Sequence, residues 1–262
     1  MRRIGVIALN TFREAIRNKI LYALVFFAVA LILASVAVAR LSLHEEQRVV
    51  EDLGLGATSL FGVLIAVFIG VNLVYKELEK KTVYILIPKP IYRWQFLVGK
   101  YVGTGLTMGV LIGFMALVFF AVLLLMGTGP RIVLIKALWL YFVEVMVISA
   151  VALFFSSFSS PFLSGLFTLL VFVVGRLTAE LRDILTRVDD VVLTVLAKAA
   201  LVVSPDLHVF NVSGAAVGGK WISVHGDFVT FGYVAQATLY GVLYSTIVLL
   251  LAVALFRRRD FV

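Results

Sequence analysis

Six stretches of this chain are apolar over about the 20 residues that a helix needs to cross hydrocarbon. They are Ile20 to Ala39, Ala57 to Tyr75, Phe96 to Met126, Ile132 to Phe155, Pro161 to Leu177 and Gln236 to Phe256. Lipid offers no hydrogen bonds, so each backbone group in such a run must be satisfied within the segment, and an unbroken run folds as a helix. Composition agrees: 62% of the 262 residues are hydrophobic and 15% are charged, with a mean hydropathy of +1.10. A water-soluble domain of this size has no room to bury that much apolar surface. The expected fold class is an all-α integral membrane protein, one domain over 1–262, with six transmembrane helices. The fifth run is short and the third long, which predicts tilt or an interfacial end in each. "SVAVA" at Ser35 to Ala39 resembles a signal-peptide cleavage site, but a charged segment of 19 residues precedes the first run, which is read as a retained anchor.

The basic residues set the orientation. Six crossings put both termini, the insert between the second and third runs and the "SSFSS" link, Ser156 to Ser160, on one side. That side holds 14 of the 23 Lys and Arg residues against four acids, a net +10; the remainder of the chain carries nine basic and eleven acidic residues, a net −2. The basic side is expected to be the cytoplasm. This clustering beside apolar runs, rather than on one continuous face, argues against a nucleic-acid partner. No cysteine is present, which excludes disulfides and thiolate metal sites.

Three segments outside the spans carry pattern. In residues 1–19, Ile4, Ala8, Phe12, Ala15 and Ile16 form one helical face and Arg3, Asn10, Arg13, Glu14 and Arg17 the other, as in a helix lying against anionic headgroups; a topogenic charge cluster is the alternative. The outer loop, 178–235, places Leu181, Ile184, Leu185, Val188, Val192, Val195 and Leu196 at helical spacing, which fits either an interfacial amphipathic helix or a lid over the bundle. Val191 to Val203 is read as interfacial because 13 residues are too few to span. Trp221, Phe228, Phe231 and Tyr233 suit an aromatic belt. The cytoplasmic insert, 76–95, has no helix breaker from Lys76 to Ile87, so the second span is expected to run on before Pro88 and Pro90 turn the chain. Among its charges it keeps Val83, Tyr84, Ile85, Leu86, Ile91, Tyr92, Trp94 and Phe96. That mixture suits a protein contact; a bare positive-inside signal is the competing reading.

These features together resemble a known family. An amphipathic N-terminal helix, six spans, Glu77-x-Glu79-x-x-Thr82, Pro90-x-x-Arg93, Gly99-Lys100 and the later "SPDLHVFNV", Ser204 to Val212, look like the permease subunits of type-2 ABC exporters. The resemblance implies a coupling helix in the insert, seated on a separate ATPase subunit present in two copies. Carried over to this chain, the contact would use Glu77, Glu79, Lys80, Thr82, Pro88, Pro90 and Arg93. It also implies a second permease half, identical or homologous, in the cytoplasmic membrane of a prokaryote, with both termini cytoplasmic and membrane lipids around the bundle. No cofactor is expected on this chain; ATP and Mg would sit on the partner. "GAAVGGKW" has the glycine and lysine spacing of a phosphate loop, but Trp221 replaces the magnesium-holding hydroxyl and the segment falls in the outer loop, so it reads as a glycine-rich turn. Small residues in "GTGLTMG", Gly103 to Gly109, and "SGLF", Ser164 to Phe167, would let helices approach closely, within the chain or between halves.

Glu144 lies mid-span, where an unpaired carboxylate costs at least about 2.5 kcal/mol. Asn72, Tyr141 and Ser149 are its expected partners by depth. Two roles stay open for Glu144 and Asn72: lining a polar pathway or subunit seam, or a hydrogen-bonded tie between helices. Lys136 and Arg176, near span ends, are expected to snorkel. His44, His208 and His225 are dispersed; His44 with Glu45 and Glu46 would make a weak metal site at best, and a solvated charged turn explains them as well. "NVS", Asn211 to Ser213, is a glycosylation sequon only where secreted chains are glycosylated. The serines lack a base, so no enzyme is expected. A secondary transporter or channel is the rival transport class.

Overall fold

The computed structural model describes residues 2–41, 45–79, 92–129, 131–187, 194–195, 197–198, 200–201, 204–217, 220–223 and 229–258. Helix α1 (Arg2–Ile16) is followed by α2 (Lys19–Ala39), α3 (Glu46–Glu79), α4 (Arg93–Leu125), α5 (Ile132–Ser156), α6 (Pro161–Arg176) and α7 (Thr178–Arg187). A 3₁₀ turn (Leu207–Phe210), a hairpin of β1 (Ser213–Val217) and β2 (Lys220–Ser223), and α8 (Phe231–Arg258) complete the chain. Five helices, α2 to α5 and α8, are long and apolar enough to cross a membrane; α6 is apolar but has only 16 residues. At 1.5 Å per residue α6 spans about 24 Å, short of the ~30 Å hydrocarbon core.

Helix ends follow local chemistry. Asn18 caps α2, its side-chain oxygen accepting from the Ile20 N–H at 3.0 Å. Gly127 closes α4 with φ +77°; its N–H donates to the Leu124 carbonyl and that of Thr128 to the Leu123 carbonyl, each at 3.0 Å. Those paired bonds satisfy carbonyls that would otherwise be orphaned at the helix end. Pro161 opens α6 at the one place where its missing N–H costs nothing.

The bundle is built on α3 and α5. In each, 72% of the apolar window is buried, against 28% in α2, 33% in α4 and 22% in α8. Lipid tails are as apolar as leucine, so helices in a membrane associate through close packing rather than by escaping water. Gly70 shows how: a Cβ there would lie 2.5 Å from the Ala152 methyl, so α3 and α5 touch backbone to side chain. Thr58, Thr104, Thr107, Ser149 and Thr168 turn their hydroxyls onto carbonyls four residues back, so these five side chains carry their own hydrogen bonds into the apolar packing.

Helix α1 forms with the expected apolar face turned inward, Ala8 and Ala15 buried and Arg3, Asn10, Arg13 and Arg17 exposed, and it finds a partner within the chain. It packs along the start of α4, where Gly99 and Gly103 form a seat: a Cβ at Gly99 would meet Ile7 at 2.8 Å and one at Gly103 would meet the Ala8 carbonyl at 2.6 Å. Ala8, Thr11 and Ala15 are buried there, while Val6 and Leu9 are exposed. The small residues opening "GTGLTMG" thus serve an intrachain contact. The start of α4 also meets the ends of α5 and α8, through Leu97, Leu153 and the stacked rings of Phe96 and Phe256. At the opposite end, the Lys136 ammonium at the start of α5 donates to the Val229 carbonyl, just before α8, at 2.7 Å and lies over the ring of Phe231, which opens α8.

The outer loop follows the expectation where it is described. The amphipathic stripe is helical over Thr178–Arg187; Val188 and Val192 lie outside the described residues, as do His44, His225 and Phe228. Of the expected aromatic belt, Phe231 is exposed, but Tyr233 turns inward and its hydroxyl donates to the Val209 carbonyl. Most of the segment read as a glycine-rich turn lies in β1 and β2, which pair antiparallel with an irregularity at Gly214; Gly218 and Gly219 lie outside the described residues. This small hairpin is an addition to an otherwise helical chain.

Candidate functional site

The polar centre of the bundle is built from three helices. Mid-way along α5, Glu144 is fully buried. The guanidinium of Arg176, the last residue of α6, meets it in a two-pronged pair, Nε donating to Oε1 at 2.7 Å and Nη2 to Oε2 at 2.8 Å. From α3, the Ser59 hydroxyl accepts from Arg176 Nη2 at 2.5 Å and lies 3.4 Å from Glu144 Oε2. Phe172, one turn before Arg176, sets its ring under the guanidinium at 5.7 Å. A parallel two-bond arginine–carboxylate contact is the strong form of this interaction. In an apolar medium it neutralises both charges, whereas removal of one partner leaves an expensive lone ion.

The pair opens onto a cleft of about 260 Å³ whose walls include Gly56, Leu60, Tyr141, Phe172 and Asn211. Above it lies the segment that follows α7. Leu207, Phe210 and Val212 are buried, and Leu207 packs so closely on the end of α6 that a Cβ at Gly175 would come within 2.9 Å of it. Asp206 fastens this cap. Its carboxylate accepts from the Thr178 hydroxyl at 2.7 Å and from Arg182 at 2.8 Å, and its N–H donates to the Tyr240 hydroxyl at 2.8 Å. "SPDLHVFNV" is thereby a plug joining α6, α7 and α8.

A second buried carboxylate, Glu51, stands near the start of α3. It pairs with Arg131 at the start of α5 and accepts from Gln47 at 2.7 Å. Lys100, beside the α1 seat, is also buried and sits 5.2 Å from the Phe96 ring centroid.

A family model for the ABC-2 family transporter protein matches residues 6–261 of this chain. The chain belongs to that family. A comparison with curated proteins returned no match. As an ABC-2 membrane protein it is a multi-pass transport subunit, in keeping with its apolar helices.

The structure redistributes the site residues expected of this ABC-2 permease. Among the described side chains, the partners of Glu144 are Arg176 and Ser59; that of Asn72 lies outside them. Ser149 is spent on its own helix through the Val145 carbonyl, and Tyr141 lies nearby in the cleft wall without bonding to Glu144. Arg176 does not snorkel; it is the counter-ion. A signal existed: Glu144 is 12 residues before the end of α5 and Arg176 is 15 after the start of α6. Antiparallel neighbours with that spacing differ in depth by only about 4.5 Å, within an arginine's reach. Asn72, Glu77 and Glu79 lie on α3 and Arg93 opens α4. Lys80, Thr82, Pro88 and Pro90 fall outside the described residues.

Proposed function

We propose that this ABC-2 permease is the membrane half of an ATP-driven exporter, powered by a separate ABC ATPase. The match across nearly the whole chain is the observation that carries this reading. Two ATPase subunits and a second permease half, identical or homologous, complete the transporter in the cytoplasmic membrane of a prokaryote. ATP and Mg bind on the ATPase, and this chain holds no cofactor. Both termini, residues 1–19 and the insert 76–95 face the cytoplasm, as the excess of lysine and arginine there supports; residues 178–235 cap the outer side.

The drive enters at the insert. Glu77, Glu79, Lys80 and Thr82, with Pro88, Pro90 and Arg93, meet the ATPase between the end of α3 and the start of α4. Because α1 is seated on Gly99 and Gly103, α1 and the first turns of α4 move as one body. A push at the insert then shifts α3 relative to α6, the two walls of the Arg176 cleft. Rigid packed elements transmit such a shift, whereas a slack loop would absorb it.

Mild detergent extraction tests this reading. The protein is expected to bring down a second polypeptide with ATPase activity, and the Glu79→Ala/Arg93→Ala variant to lose it while still inserting. Recovery of the permease alone under several gentle conditions would reject the ATP-driven assignment.

A further inference from the structure

Next to the Arg176 cleft, along the same two helices, lies an apolar trough. Along α3, Gly56 and Leu60 line the cleft and Leu64, Val67 and Val71 line a second hollow of about 340 Å³. Steps of three and four place all five on one helical face. The opposite wall repeats the pattern: Gly165 and Leu169 of α6 line the hollow, Phe172 and Arg176 the cleft. The two hollows thus follow one another along the α3–α6 seam, over about 22 Å from Gly56 to Val71 at the helical rise. Ile20 and Leu24 of α2 close its far end.

Its chemistry is graded. The trough is apolar throughout, and Leu166, Leu170 and Val173, each one residue on from a lining position of α6, are exposed. In an apolar helix of a membrane bundle, such exposed side chains meet lipid rather than water. At the other end, Arg176 spends Nε and Nη2 on Glu144 and Ser59, and its Nη1 donates to no described residue. Tyr141 stands in the same wall with its hydroxyl bonded to no other described residue. Donors therefore wait at the head of a greasy channel. Glu144 has already cancelled the arginine's charge, so a full anion would arrive without a counter-ion, whereas a neutral acceptor such as a carbonyl would not.

We infer that this seam binds a single-chain amphiphile that enters sideways from the bilayer, with its acyl chain in the trough and its ester or amide carbonyl at Arg176 and Tyr141. The inference deepens the permease reading, on which the ligand's standing as cargo rests. Binding itself needs no ATPase.

The test uses the purified full-length protein in maltoside detergent with a radiolabelled monoacylglycerol and the alkyl-ether analogue that lacks the carbonyl. The ester is expected to be retained about tenfold better than the ether, the worth of a hydrogen bond from a charged donor. Leu169→Trp should fill the trough and abolish retention without altering the elution volume, and Tyr141→Phe should narrow the ester–ether gap. Should Leu169→Trp fold poorly, Leu64→Trp blocks the same space from the other wall. Equal retention of ester and ether, or undiminished retention in both tryptophan variants, would overturn the proposal. So would a tryptophan variant that splits a dimer instead of displacing the probe, since the seam would then be a subunit contact. Absence of a co-purifying ATPase would reject the exporter assignment and leave a positive binding result standing.

Discussion

Two carboxylates in this bundle are closed off to nearly the same degree, Glu144 at 0% and Glu51 at 1% exposure, and each is met by an arginine from another helix. The arginines differ. Arg176 is 22% exposed, inside the membrane-spanning bundle, and is held through Nε and Nη2 over an aromatic ring; Arg131 is 42% exposed at a helix start. Burial of the acid alone therefore does not set the value of a pair. What matters is whether water can replace the cation when it is lost. At Glu51 the cation stands at an exposed helix start and Gln47 remains as a donor; at Glu144 the cation is mostly buried, and among the described residues the Ser59 hydroxyl, 3.4 Å away, is what remains.

The largest effect should follow from breaking the deep pair. Arg176→Ala leaves Glu144 uncompensated and is expected to cost about 3–5 kcal/mol, read as a lower unfolding midpoint in detergent. The double variant Glu144→Gln/Arg176→Gln should recover more than half of that loss, because two amides keep hydrogen bonds without stranding a charge. Failure of the double variant to recover would mean that the charges themselves, not their pairing, hold the three helices. Next comes the packing on which the pair is mounted: Gly70→Leu must push α3 from α5 and should cost at least about 1–3 kcal/mol, with loss of the compact form on gel filtration. Arg131→Ala should cost only about 1 kcal/mol, less at high salt. A deficit as large as that of Arg176→Ala would erase the distinction between the two sites. The smallest stability effect is expected at the α1 seat, where Gly103→Val should release α1 to protease while the span helices stay protected.

The contrast also marks what could be read from the residues. Long apolar runs with proline or glycine at their ends state the spans almost directly, because lipid leaves the backbone no alternative to a helix. The expected runs from Ile20, Phe96 and Ile132 begin within three residues of α2, α4 and α5. The second run was harder. It was expected from Ala57, yet α3 begins at Glu46, since Arg48, Glu51 and Asp52 pair with Gln47, Arg131 and one another rather than ending the helix. The Glu144 partners were missed for the same reason: a charge near a span end was assumed to reach for water, when depth across an antiparallel pair was the quantity that mattered. The α1 seat was half legible. The Gly99 and Gly103 spacing was visible, but which helix would lie on it is a tertiary fact. The hairpin carried little pattern beyond its glycines.

Photocrosslinking in cells from a probe placed at position 79, with a control probe at position 198 in the outer loop, tests most directly the idea that a separate engine pushes on this bundle through the insert. The account predicts a crosslink to a nucleotide-binding polypeptide from position 79 and none from position 198. A crosslink to that polypeptide from position 198, or none from position 79 and its neighbours, would contradict it.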